Sequence, residues 1–432
     1  MIAKLDYIKG LGFNAIEILP VNEFFGDYYL GYSQISSYAI ESSYGSAVGK
    51  AYDELKALVN AAHSKGIAVI QDVCFNHYST TSGADNLIWN WDGGQLYYST
   101  TQTQWGTAPN WWSPEVRRYM ENANRMFLGE LHMDGMRWDH TRTIIDYNAG
   151  GYMRDMLWSL QQTAGWAKKI FIAEENPYKQ EIVNYYNFDA GWHVDFHHGI
   201  EQIFGGQQRG IDVYQAINGG SYGAVYNRIV YSVGHDEARN GGNYNAQRFG
   251  GRNSWDSRAI CRAFGALQFF VPGIPMIWQG EEFLQDRDFS QEDAWHSPQW
   301  SYQTDGVGSQ MQKMYQDAVN VRKGYTSLRY GGLGWAHNIT ADKVIAFTRT
   351  DSVNGQKTLV VANFSATTWA NHSFALGTGN VWGSWTQVFC SQDAAYGGWD
   401  GAGNAYYTPS TTGNSVIWIN VPKFSVMVFK LN

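Results

Sequence analysis

The residues best suited to chemistry in this chain lie in one stretch, Met133-Asp134-Gly135-Met136-Arg137-Trp138-Asp139-His140. Its pattern is that of a short strand ending in a charged tip. Residues two apart on a strand share a face, so Arg137 and Asp139 point the same way. A guanidinium beside a carboxylate favours the ionised acid. A nucleophilic carboxylate needs that state while a partner acid keeps its proton. Taken alone, the octapeptide fits a structural ion pair at a strand end equally well. Three further clusters bear on the choice: Asp72 with Asn76 and His77, Glu174 beside Glu175, and His235 with Asp236.

Each cluster needs an element to carry it. Residues 2–10 have helical spacing, stopped by Gly10 and Gly12, and Ala15 to Val21 then reads as a buried strand. An aromatic loop over 22–46 leads to a helical run at 47–65 and a strand from Ile67 to Phe75, which delivers Asn76 and His77. A second long loop, 78–112, precedes a helix opened by Ser113-Pro114-Glu115, with Val116, Met120, Ala123 and Phe127 on one face. After the Arg137 strand come a helix near 152–167, a strand Ile170 to Ala173 ending at Glu174, and a strand near Trp192 to Phe196. Arg228 to Val233 ends at His235-Asp236, and a helix over 255–270 leads to a strand Ile274 to Trp278.

Apolar β-branched runs between helices are parallel strands covered on both faces. The alternation predicts an α/β fold, a TIM-type (β/α)8 barrel with its polar residues at the carboxyl ends of the strands, where such barrels do chemistry. Seven barrel strands are legible. The chain opens in what reads as the first barrel helix, so the first strand has no sequence here, and an open barrel would expose two strand edges. Beyond Tyr330, the runs Val344 to Thr348, Thr358 to Ala362, Ser415 to Val421 and Val426 to Leu431 are separated by turn residues. They predict a C-terminal antiparallel β-sandwich over 331–432, after a barrel domain over 1–330.

With 16% charged and 44% hydrophobic residues among 432, the composition is that of a globular chain. The net charge of −8 argues against a nucleic-acid partner. No apolar segment is long enough to span a bilayer and no signal peptide is legible, so a cytoplasmic location is the default. Cys74, Cys261 and Cys390 show no paired or zinc-like spacing and are expected to be free and buried. The 19 Trp, 28 Tyr and 21 Phe suit stacking on sugar rings, although core filling accounts for most of them.

Three acids, one arginine and two histidines converging on a barrel mouth match retaining glycoside cleavage, in which one carboxylate attacks the anomeric carbon and a second donates and later accepts a proton. The four clusters also resemble the motifs of a known family, the α-amylase superfamily (glycoside hydrolase family 13). Asp72-Val73-Cys74-Phe75-Asn76-His77 is similar to its first motif, and Asp134-Gly135-Met136-Arg137-Trp138-Asp139 to its second. Ala173-Glu174-Glu175-Asn176 is similar to the third, and Gly234-His235-Asp236-Glu237 to the fourth. The resemblance implies Asp139 as nucleophile, Glu174 as general acid/base and Asp236 as third acid. It implies Arg137, His77 and His235 as transition-state contacts and Tyr32 as a stacking platform. Asp72 stands among the substrate-binding candidates, although it and Asp134 read more readily as supports for strand ends. Neighbours on a strand face opposite ways, so only one of Glu174 and Glu175 can serve, and the motif picks Glu174.

Within the superfamily, Ala173-Glu174-Glu175, His235-Asp236-Glu237 and the loop from Gln104 to Asn110 resemble the 1,4-α-glucan branching enzymes and their relatives. The resemblance therefore implies an α-glucan substrate, α-1,4 bond cleavage by double displacement and transfer to a second glucan chain. The loop aromatics around Tyr28, Tyr29, Trp89, Trp91, Trp105, Trp111 and Trp112 could hold that chain, with loop packing as the equally weighted alternative for each. A hydrolytic α-amylase, and an inactive glucan-binding homologue, remain as alternatives. Leu30 stands where a Trp commonly precedes Gly-Tyr. Thr143 stands where calcium-dependent amylases carry a His, so neither a cofactor nor a structural calcium is expected. The oligomeric state is left open.

Overall fold

The computed structural model describes residues 1–79, 88, 91, 93, 96–176, 179–219, 224–239, 244–287, 297–398, 410–411 and 416–432. The chain divides into two compact units, Met1–Trp192 and His193–Asn432.

In the first unit, helix α1 (Leu5–Leu11) ends at Gly12, whose φ of 97° is left-handed, a conformation glycine takes without a Cβ clash. Strand β1 (Ala15–Ile18) follows. It stops short of the expected Val21 because Pro20 has no N–H to continue a ladder. Helix α2 (Ala51–Ser64) buries Ala51, Leu55, Val59 and Ala62 along one stripe and leads into β2 (Ala68–Val73). Helix α3 (Pro114–Arg125) starts after Ser113, as expected, but the Ser113 hydroxyl donates to Glu115 rather than capping a backbone N–H. Then come β3 (Gly135–Trp138), α4 (Gly150–Gln161), β4 (Ile170–Ala173) and β5 (Ala190–Trp192).

These five strands pair in parallel in chain order. Glu17 is level with Ile70, Asp72 with Arg137, Arg137 with Ile172, and Ile172 with Ala190. Pleating sends alternate residues of β3 to opposite faces. Met136 and Trp138 enter the core against the helices, where Trp138 packs on Phe75, Phe188 and Trp111 with ring centroids 5.0, 6.0 and 6.4 Å away. Burying one such side chain contributes about 1.5–3 kcal/mol. Those contacts lock the pleat, and Arg137 is thereby committed to the other face. Gly135 shares that face by the same alternation, and it is glycine because a Cβ there would lie 2.3 Å from the Ile170 carbonyl oxygen.

In the second unit, the expected strand over 192–196 is corrected. The strand ends at Trp192, and Val194–Ile203 is a helix, α5. Val194, His197, Ile200 and Glu201 are buried at helical spacing. Val194 and Phe196 alone mimic a two-residue period. Strand β6 (Arg228–Val230) pairs in parallel with β7 (Ile274–Pro275). Between them α6 (Trp255–Phe270) is buried along most of its length, its Ser254 side chain accepting from the Ser257 N–H as a cap. Helix α7 (Gly306–Gly324), which the sequence reading did not single out, precedes the C-terminal strands.

The strands β8 (Gly332–His337), β9 (Val344–Thr350), β10 (Lys357–Asn363), β11 (Trp369–Gly377), β12 (Gly383–Cys390), β13 (Val416–Val421) and β14 (Ser425–Leu431) complete the chain. One antiparallel sheet runs β8-β9-β10-β14-β12 and a second pairs β11 with β13. Leu359, Trp385 and Phe429 of the first share a core with Phe374, Ile417 and Ile419 of the second, which makes this a β-sandwich. The fold is thus of TIM-type β/α barrel class, with seven parallel strands among the described residues, followed by an antiparallel sandwich. The three cysteines are free and buried. No helix among the described residues is long and apolar enough to cross a membrane.

Candidate active site

The site is built around Arg137, which is fully buried on the inward face of β3. Its Nη1 donates to both oxygens of Asp72, at 3.0 and 2.8 Å, and to Asp139 Oδ1 at 3.0 Å. Its Nη2 donates to Glu174 Oε2 at 2.7 Å. The Trp192 ring lies flat against the same guanidinium, 4.2 Å from ring centre to Cζ, a cation–π contact at the end of β5. Burial pulls the Arg137 pKa down, but the charges of Asp72 and Glu174 outweigh that and hold it well above its ordinary range. One guanidinium thus organises carboxylates from three consecutive parallel strands.

Asp139 extends β3 by one residue, its N–H bonded to the Val73 carbonyl at 2.9 Å. Asn76 Nδ2 donates to Asp139 Oδ2 at 2.7 Å and to its carbonyl at 2.9 Å, fixing the carboxylate from the end of β2. The chain then turns through His140 at φ 36°, a strained value for a non-glycine residue. That turn aims the His140 N–H at Glu174 Oε2, 3.0 Å away. Glu175 faces the other way, accepting from Thr141 Oγ1 at 2.8 Å and pairing with Arg142. Glu174 is the acid that shares a guanidinium with Asp139.

Asp72 is fully buried, and its Oδ2 accepts from Tyr32 Oη at 2.5 Å as well as from Arg137. Complete burial pushes its carboxyl well up, with Arg137 opposing. It offers no surface to a ligand here, which suits the reading of Asp72 as a support, positioned behind Arg137, over that of a substrate contact. Tyr32 reaches Asp72 because Gly31, at φ 92°, crosses so close over β1 that a Cβ would lie 2.2 Å from the Pro20 carbonyl oxygen. His77 is buried against Asn76 and Cys74, with Cys74 Sγ 3.3 Å from its Nδ1. Burial, with the His140 charge adding to it, pushes the imidazole down to about 4. Asp134 takes the Val69 N–H and His63 Nε2, each at 2.8 Å, at the opposite end of the strands.

Two groups at this site were not singled out from sequence. Glu17, half-buried on β1, is pushed up to about 7 by desolvation, with Arg137 opposing and Glu174 adding to the rise. The strand pattern of Ala15–Ile18 carried the signal, since Glu17 is the one ionisable residue in an apolar run. Trp192 had no signal, because only the register of β5 brings it to Arg137.

In the second unit, His235 and Asp236 open a short helix, His235–Arg239. The His235 ring is buried, 5.9 Å from the Trp278 ring centre, with Asp236 Oδ1 3.6 Å from its Nε2. The Asp236 side chain is 56% exposed. It lines a cavity of ≈ 550 Å³ with Glu237, His198, Glu201, Arg209 and Arg248.

Of the loop aromatics, Tyr28, Tyr29, Trp91, Trp105 and Trp112 are exposed. Trp111 is corrected to a core residue, fully buried with its Nε1 donating to the Phe75 carbonyl at 3.2 Å. Trp89 lies outside the described residues. Thr143 is hydrogen-bonded to His140 at 2.8 Å, and the Asn76 amide oxygen faces His77.

Comparison with known proteins places this geometry. A family model described as the alpha amylase catalytic domain matches residues 1–86, and one described as the alpha amylase C-terminal all-beta domain matches residues 335–432. The malto-oligosyltrehalose trehalohydrolase of Saccharolobus solfataricus is 30% identical, over 67% of this chain and 54% of that protein. The 1,4-alpha-glucan branching enzyme of Rhodospirillum rubrum is 27% identical, over 96% of this chain and 57% of that protein. The chain spans about half the length of the curated relatives it matches. An alpha-amylase of Anoxybacillus has the same fold, with a TM-score of 0.77 at 19% identity over 100% of this chain and 89% of that one. Alpha-amylase domain models match at both ends of the chain and these relatives match along much of it, so the chain is similar to proteins of the α-amylase superfamily, glycoside hydrolase family 13.

Proposed function

We propose that this chain cleaves α-1,4-glucosidic bonds of α-glucans by double displacement and transfers the released chain to a second glucan, as a 1,4-α-glucan branching enzyme does. The observation that carries the reading is the single Arg137 guanidinium holding Asp139 and Glu174 at adjacent strand ends. In the first half-reaction an Asp139 oxygen bonds to the anomeric carbon. The glycosidic C–O bond breaks, and Glu174 gives its proton to the departing oxygen. Glu174 Oε2 is held by Arg137 and the His140 N–H, which leaves Oε1 for that proton. In the second half-reaction Glu174 takes a proton from an acceptor hydroxyl, which displaces Asp139 from the sugar. Asp236 is the third acid, gripping hydroxyls of the distorted ring, with His77, His235 and Tyr32 as further contacts.

Similarity to branching enzymes along nearly the whole chain supports transfer. A second reading, hydrolysis, is favoured by similarity to the trehalohydrolases. The two differ only in whether water or a sugar hydroxyl meets the glucosyl ester. An acceptor chain oriented by exposed rings such as Tyr28, Tyr29, Trp105 and Trp112 competes with water through effective molarity. Product analysis on amylose separates them. New α-1,6 linkages with little rise in reducing ends support transfer. Steady release of linear maltooligosaccharides overturns it in favour of hydrolysis.

A further inference from the structure

Close against the proposed nucleophile, and beside His77, lies a thiol that glycoside cleavage does not require, that of Cys74. Cys74 and His77 leave the end of β2 three residues apart, and Cys74 Sγ stands 3.3 Å from His77 Nδ1. One ligand-capable atom from each of Cys74, His77 and Asp139 lies within 4.8 Å of the others. Sulfur, imidazole nitrogen and carboxylate oxygen are the zinc donor types, bound at about 2.3, 2.0–2.1 and 2.0–2.2 Å. A sulfur and a nitrogen donor on one tetrahedral centre stand roughly 3.5–3.6 Å apart by that geometry, a few tenths of an ångström more than the Cys74–His77 separation.

The surroundings favour a cation. Asp72, Asp139 and Glu174 are gathered on the one Arg137 guanidinium, so acidic groups outnumber the fixed cation there. Cys74 and His77 are 2% and 3% exposed, whereas the Asp139 side chain is 15% exposed and gives access from solvent. The other His-rich cluster, His197, His198 and Glu201, lacks this character. There Arg248 is paired with Glu201 at 2.5 Å and its Nη1 is 3.4 Å from His197 Nε2, so a fixed cation already takes the coordinating edge.

We propose that Cys74, His77 and Asp139 form a binding site for a soft divalent cation, with zinc as its first candidate, and that the bound ion blocks the nucleophile. Binding exchanges the Cys74 thiol proton, released to solvent, for a sulfur–metal bond. The His77 Nδ1 proton, which faces the Asn76 amide oxygen, passes through solvent to Nε2 so that Nδ1 presents a lone pair to the ion, and an Asp139 oxygen supplies the third bond.

The test uses the whole chain, metal-free and reduced, titrated with cobalt(II) as a spectroscopic stand-in for zinc. One equivalent is expected to raise a thiolate-to-cobalt charge-transfer band that zinc abolishes. The band should persist in Cys261→Ser and in Cys390→Ser, which assigns it to Cys74 even if Cys74→Ser does not fold. In folded Cys74→Ser the band should be lost and the affinity for zinc should fall by roughly tenfold or more. Where amylose is converted, zinc should inhibit reversibly, with chelator restoring the rate. No charge-transfer band at stoichiometric cobalt, or an undiminished band in folded Cys74→Ser, overturns the proposal. Because the band is read without turnover, its outcome is independent of the glycosidase reading.

Discussion

Replacing Glu281 by Gln should flatten the pH dependence of stability in the second unit. Glu281 follows β7 and is 7% exposed. Its Oε1 accepts from the Ser232 and Tyr315 hydroxyls, and its Oε2 has no hydrogen-bond partner among the described residues. Burial pushes its pKa from 4.5 up to about 7, the two hydroxyls opposing and Glu282 adding to the rise. The folded state therefore holds this proton more tightly than the unfolded chain does. The stability contributed is fully present below the unfolded pKa and is lost as pH rises through the folded value. Linkage between those two values makes the loss from pH 5 to pH 8 about 2.5 kcal/mol. Gln has no charge to lose and its oxygen accepts the same two hydroxyls, so the variant keeps the packing and loses the titration. Urea or thermal unfolding of both proteins at pH 5 and pH 8 gives the difference, in which every other titrating group cancels. The variant should gain on the wild type by roughly 5–10 °C in Tm between those pH values, by the usual conversion for a unit of this size. Parallel pH slopes for the two proteins would refute the reasoning.

Asp139→Asn should lower turnover on amylose by on the order of 10⁴ or more with an unchanged circular dichroism spectrum, and near wild-type rates would remove Asp139 as nucleophile. Glu175→Gln, which loosens the contacts to Thr141 and Arg142 rather than the catalytic pair, should lower Tm while activity survives, the reverse of Glu174→Gln. Arg137→Met leaves Asp72 buried without its cation and should cost about 3–5 kcal/mol in urea unfolding. A loss below 1 kcal/mol would show that Asp72 is neutral in the folded chain. EDTA should lower neither the Tm nor the activity of the chain as isolated, and a large drop in either would reveal a structural cation.

Much of the architecture follows from local pattern. Apolar β-branched runs set between helical periods mark the strands, and the residues just past their ends, Asn76, Asp139 and Glu174, are where polar groups become affordable. Strand alternation alone requires that Arg137 and Asp139 share a face and that Glu174 and Glu175 do not. It also commits Met136 and Trp138 to the opposite face from Arg137. These statements concern neighbours in the chain, whose relation is set by covalent geometry.

Other features depended on residues distant in sequence. Val194 and Phe196 alternate like a strand yet lie in helix α5, because burial of His197, Ile200 and Glu201 rewards a helical stripe. Trp111 looks like its exposed neighbour Trp112 but fills the core beside Trp138. The positions of Trp192 and Glu17 beside Arg137 follow from the parallel register. The same register brings Asn76 onto Asp139, 63 residues away, and with it Cys74 and His77. The sequence by itself determined which residues end strands and which neighbours share a face, since φ/ψ preferences and the two-residue pleat act locally. Which face turns inward, and which distant groups meet there, only the tertiary structure decided, because both depend on burial and on pairing register summed over the whole sheet.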